Sequence, residues 1–196
     1  IKATFGIYPT TAMKLSDKEL GKEIAFIKSH KDDIVGIGEI GLDFHLTKDE
    51  KDHQRQIKAF KNIIKSLMQL NKTFVIHSRK AEKECIDILE DLKPKKVLFH
   101  CFSGKHKLVK RIEKNGWSLS IPANIIRSLH FQGVVNLVSI NNILTETDAP
   151  FLAPPPKERS EPSFVKGTIK KIAELKNMNE EEVENNIFLN YQKLFS

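Results

Sequence analysis

The chain of 196 residues contains no apolar run near the ~18 residues needed to span a bilayer, so a transmembrane helix is not expected. Its first residues, IKATFGIYPT, lack the basic start and apolar stretch of a secretory signal. Cysteine is scarce. Cys85 and Cys101 stand too far apart for a Cys-x-x-Cys motif, and both are read as small buried residues in a reducing, cytoplasmic compartment, which leaves out a disulfide scaffold. Low-complexity tracts and internal repeats are absent too, which removes linkers and repeat arrays from consideration.

What is present is an ordinary water-soluble composition, 40% hydrophobic and 29% charged. The length suits a single domain over residues 1–196 with a sizeable core. A net charge of +7 favours an anionic partner such as nucleic acid, because Lys and Arg neutralise phosphates and release counterions. The same lysines, in stretches such as KKIAELKNMNEEEVENN, equally fit solvated helix faces that confer solubility.

Six short β-rich runs punctuate the chain: ATFGI, DIVGIGEIGLD, TFVIHS, KVLFHCFSG, WSLSIPA and NILTETDAP. Helical periodicity lies between them, as where Ile57, Phe60, Ile64, Leu67 and Met68 recur three or four residues apart. Capping boxes are expected at Ser16 with Glu19 and at Thr47 with Glu50. Two helices are expected at the end, Pro162 to Lys176 and Glu180 to Tyr191, the second capped by Asn179. The prolines of APFLAPPPKERSEP forbid helix and ladder alike and mark an ordered loop. Repeated βα units predict an α/β fold with a parallel sheet, either open or closed as a barrel, and six strands do not decide between these.

A metal-ligand type stands where four of the apolar runs stop: Glu39 in GIGEIG, His77 in FVIHS, His100 in LFHCFSG and Asp148 in LTETDAP. C-terminal strand ends of parallel βα folds converge on one face, so ligands scattered in sequence become neighbours in space. Imidazoles with carboxylates suit Zn, Mn or similar divalent ions, and Mg prefers more oxygen. Any one of these residues alone fits a hydrogen-bonded core or loop position equally well.

The blocks GIGEIGLDF, FVIHSR, FHCFSG and LTETDAPFLAP, with GIYPT before them and Gln56 and Phe60 between, resemble the signature blocks of the TatD family of metal-dependent deoxyribonucleases over nearly the whole chain. The resemblance implies a TIM-type (β/α)8 barrel of the amidohydrolase kind. Two divalent metals, Mg, Mn or Zn, would hydrolyse phosphodiester bonds of DNA, with RNA as a further substrate. By matching position, Glu39 bridges both metals, His77 and His100 bind one, and Asp148 binds the other and accepts a proton from the attacking water. Catalysis is thus assigned to Asp148 and Glu39. Arg79 is expected to clamp a substrate phosphate, Tyr8 to donate to it, Asp43 to orient a ligand or cap a turn, and Ser103 and Gly104 to open a helix whose N–H groups meet an anion.

Two departures from the family pattern stand out. The family's first strand carries a His-x-His pair that is absent here, so ATFGI aligns with the third strand, two βα units are expected to be missing, and the second metal site is incomplete. Tyr8 occupies a position where the family commonly has His, and it lacks the positive charge of an imidazolium. A non-catalytic relative, or an amidohydrolase-like enzyme acting on another ester or amide, is the alternative reading.

Overall fold

The computed structural model describes residues 1–154 and 156–196; Pro155, within the expected ordered loop, lies outside the described residues. The chain divides into two compact units, Ile1–Phe99 with Leu194–Ser196, and His100–Lys193. Among the described residues six strands form, one in each β-rich run of the sequence. Among the described residues no helix is long and apolar enough to cross a membrane.

In the first unit four strands pair in parallel and in chain order: β1 (Ala3–Phe5), β2 (Ile34–Asp43), β3 (Thr73–Arg79) and β4 (Val97–Phe99). Their crossovers carry α1 (Pro9–Ala12), α2 (Asp17–Ser29) and α3 (Glu50–Leu67), and α4 (Glu82–Leu92) precedes β4. The sheet residues Ile37, Ile40, Leu42, Phe74 and Ile76 are buried, each contributing about 1.5–3 kcal/mol of apolar transfer. The buried stripe of α3 runs through Gln56, Phe60, Ile63, Ile64 and Leu67. Ile57 is only half-buried and Met68 is exposed, so the stripe is rotated from the one periodicity alone suggests.

The Ser16–Glu19 capping box forms as expected, with the Glu19 amide bonded to Ser16 Oγ and the Ser16 amide to Glu19 Oε2. The box expected at Thr47 and Glu50 does not form. Asp49 caps α3 instead by accepting from the Lys51 amide, because the Thr47 hydroxyl is buried and donates to the Asp43 carbonyl.

The second unit holds the parallel pair β5 (Ser118–Ile121) and β6 (Ile143–Thr145). Around them lie α5 (His106–Lys114), α6 (Leu129–Leu137), α7 (Val165–Lys176) and α8 (Glu180–Phe195). A 3-10 turn over Pro162–Phe164 precedes α7, so the helix expected from Pro162 begins its α geometry three residues later. Asn179 caps α8, and the Asn190 amide ties that helix to the carbonyls of Ile140 and Ile143 at the start of β6.

Candidate metal centre

In the first unit the end of β2 is held from three sides. Gln56, buried on α3, accepts from the Asp43 amide at 2.7 Å and donates to the Asp43 carbonyl and to Thr47 Oγ1 at 3.0 Å. The Asp43 side chain is fully buried. Its Oδ1 accepts from the amides of His45 and Leu46, both at 2.9 Å, and its Oδ2 accepts from the Tyr8 hydroxyl at 3.1 Å. Burial by itself would raise the Asp43 carboxyl, but the Leu46 amide and the His77 ring outweigh it and hold the carboxyl below its ordinary range. The Tyr8 hydroxyl is pushed well above its usual value by burial and then by the Asp43 carboxylate beside it.

His77, on β3, stands between two carboxylates, with Nε2 2.9 Å from Asp43 Oδ2 and Nδ1 2.7 Å from Glu39 Oε1. A neutral imidazole carries one N–H and can satisfy only one of them. The other contact calls for a second cation, either a further proton or a metal ion. With the proton on Nε2 and given to Asp43, the Nδ1 lone pair and the Glu39 oxygen sit side by side as two donors, the carboxylate–histidine–metal pattern in which an outer carboxylate sets the tautomer. This donor pair fits a divalent ion whose bonds are about 2.0–2.2 Å.

The backbone is shaped around that pair. Gly41, at φ +141°, lies in register with His77, and a Cβ there would come within 2.0 Å of the His77 carbonyl oxygen. A Cβ on Gly6 would meet the Glu39 amide and carbonyl at 2.6 Å. Arg79 ends β3, exposed, in register with Asp43. The Gly38–Glu39 and Ala149–Pro150 peptide bonds are cis.

In the second unit His100 Nδ1 lies 3.1 Å from Glu146 Oε2, which also accepts from the Ser120 hydroxyl at 2.8 Å. Glu146 Oε1 is buried with no hydrogen-bond partner among the described residues, so this carboxylate retains acceptor capacity for a cation. Sequence reasoning passed over Glu146, although it directly follows β6 as His100 directly follows β4, whereas Glu39 and His77 lie within β2 and β3. Asp148 comes two residues later, half-buried, in the left-handed conformation at φ +53°. Ser103 and Gly104 do not open a helix: α5 begins at His106 after Lys105, leaving both in the preceding turn.

The family model described as TatD related DNase matches residues 1–196. The chain belongs to the TatD-related DNase family. An uncharacterized metal-dependent hydrolase of Methanocaldococcus jannaschii is 37% identical over 195 residues, covering 100% of this chain and 76% of the relative. Deoxyribonuclease TATDN3 of Homo sapiens is 33% identical, covering 97% of this chain and 70% of the relative. The solved TatD homolog YjjV of Escherichia coli K12 superposes with a TM-score of 0.86 at 22% identity, over 99% of this chain and 76% of that one. The α/β fold with six parallel strands is thus the TatD fold, and the chain is a TatD-family hydrolase.

Proposed function

We propose that this TatD-family chain is a metal-dependent phosphodiesterase acting on DNA, with Glu39 and His77 holding a metal ion and with His100 and Asp148 assigned as further ligands by the family pattern. The observation that carries the reading is the placement of His77 between Glu39 and the buried Asp43, which leaves one ring nitrogen beside a carboxylate oxygen as a ready donor pair. Bound to these residues, a divalent ion such as Mn, Zn or Mg supplies Lewis-acid chemistry, bringing the pKa of a water toward ~7 and compensating charge on the attacking and leaving oxygens.

The residues have separate tasks in this proposal. Asp43 fixes the His77 tautomer, and Glu146 with Ser120 does the same for His100. Asp148 accepts the proton released by the attacking water. Arg79, exposed at the end of β3, grips non-bridging phosphate oxygens. Tyr8 gives its proton to Asp43, so the phosphate-donor role expected for it from the sequence is not carried into this proposal. Support for DNA as substrate comes from the deoxyribonuclease named among the relatives and from the net charge of +7.

The test is phosphodiester hydrolysis by the purified chain after chelation and after titration with Mn, Zn or Mg. Activity should vanish with chelator and return with the ion. Glu39→Ala should remove it. Turnover by Glu39→Ala near the wild-type rate, in metal-controlled buffer, would overturn the ligand assignment.

A further inference from the structure

We infer that the second unit carries a base-stacking subsite for single-stranded nucleic acid, formed by Phe151 with the neighbouring Ile126, Arg127 and Leu129. The inference rests on the nuclease reading for the identity of its occupant. Three large apolar side chains are turned to solvent here: Phe151 is 68% exposed, Leu129 81% and Ile126 47%. A groove of about 350 Å³ separates their two segments, lined by Asn124, Arg127 and Ser128 on one wall and Leu152 and Ala153 on the other.

Both walls are held in place before any ligand arrives. On the first, the amides of Arg127 and Ser128 bond to the Asn124 carbonyl, and the Gln132 side chain donates to the Ile125 carbonyl at 2.9 Å. On the second, the Phe151 amide bonds to the Asp148 carbonyl at 2.7 Å. Buried Ser160 straps the same loop, its amide on the Pro150 carbonyl and its hydroxyl on the Thr147 carbonyl, each at 3.0 Å. Ordering costs on binding are correspondingly small.

The chemistry of this surface selects its occupant. An exposed ring stacks on any base, and an adjacent guanidinium takes the phosphate that follows it, the combination by which single strands are held without sequence preference. Phe151 follows Asp148 by three residues, at most about 11 Å along an extended backbone, so a base stacked there belongs to a nucleotide close to the scissile bond.

Two assays on the full chain separate this inference from the nuclease reading. Fluorescence anisotropy of a labelled oligothymidylate, in chelator to prevent cleavage, reports the subsite. Hydrolysis of bis(4-nitrophenyl) phosphate with added Mn, read as kcat at saturating ester, reports the metal centre, because a stacked ring changes how the ester binds and not the chemical step. Phe151→Ala should weaken the oligonucleotide about 5- to 150-fold, the range for one stacked base. Phe151→Trp should restore it, and both variants should keep wild-type turnover of the small ester. Arg127→Ala should reduce the slope of log affinity against log salt by about 0.7, one phosphate contact on a single strand. Unchanged affinity in Phe151→Ala would overturn the inference, as would wild-type protein that cleaves the small ester yet binds no oligonucleotide. Light scattering that shows Phe151→Ala or Leu129→Ala dissolving a dimer, with oligonucleotide affinity intact, would also overturn it. Phe151-dependent binding without ester hydrolysis would uphold the subsite and count against the metal-dependent reading alone.

Discussion

Replacing Asp43 by Asn isolates the tautomer argument at the candidate metal centre. Asparagine keeps one oxygen, which still accepts from the amides of His45 and Leu46, so the local turn survives. The other oxygen becomes an NH2 group facing His77 Nε2, 2.9 Å away in the native protein. Two N–H groups cannot face each other, so the ring proton moves to Nδ1 and points at Glu39, where a metal would need a lone pair. Loss of two charge-assisted bonds to that oxygen, from His77 and Tyr8, partly recovered by the reversed bond to the ring, should cost about 2 kcal/mol of folding stability. Loss of the orienting carboxylate should weaken metal binding about 10- to 100-fold. Asp43→Ala should cost more stability, about 3 kcal/mol, since it also removes the acceptor of the His45 and Leu46 amides. Urea unfolding in chelator gives the stability terms, and calorimetric titration with Zn or Mn gives the affinity. Metal affinity in Asp43→Asn within twofold of wild type would refute the claim that Asp43 sets which nitrogen His77 presents.

Three further outcomes are expected. Gly41→Ala should lose about 3 kcal/mol or more, because a Cβ would sit 2.0 Å from the His77 carbonyl oxygen at a φ of +141°; an unchanged urea midpoint would remove Gly41 as a constraint. Ser16→Ala should cost about 1 kcal/mol at neutral pH by thermal unfolding. The Ser16 hydroxyl, then its amide, hold the Glu19 carboxyl below its ordinary value. That contribution is therefore full above the ordinary carboxylate range and lost as pH falls through the lowered value, so the gap between wild type and Ser16→Ala should shrink in acid. Burial raises the Cys85 thiol well above its usual range, so a disulfide reagent should modify it only on unfolding; rapid native modification of a Cys85-only variant would contradict its burial.

The strands were legible from the sequence because each lies in a short apolar run that stops at a turn, the pattern a buried strand such as β4 or β5 needs. The Ser16 cap was legible for a similar reason: its partners are three residues apart, and local geometry alone brings them together. The block resemblance placed the chain in the family that the whole-length match bears out, and with residue type it is the ground on which Glu39, His77, His100 and Asp148 are proposed as ligands. What the sequence could not settle was the choice among competing partners. Thr47 has the spacing of a capping residue, yet its hydroxyl goes to Asp43, since Gln56, nine residues further on, buries it there. Asp43 could have been a turn cap or a ligand-orienting acceptor. Folding gives it both kinds of contact, Oδ1 on the turn amides and Oδ2 beside Tyr8, 35 residues before, and His77, 34 residues after. Glu146 drew no notice until its partners His100 and Ser120, 46 and 26 residues away, stood beside it. Phe151 gave no sign of being exposed, since an apolar letter in a proline-rich loop reads the same whether it is buried or left facing solvent. Periodicity reports which side of an element meets the core. Only the closed chain decides which distant group satisfies each polar atom, and which apolar side chain is left over for something else to cover.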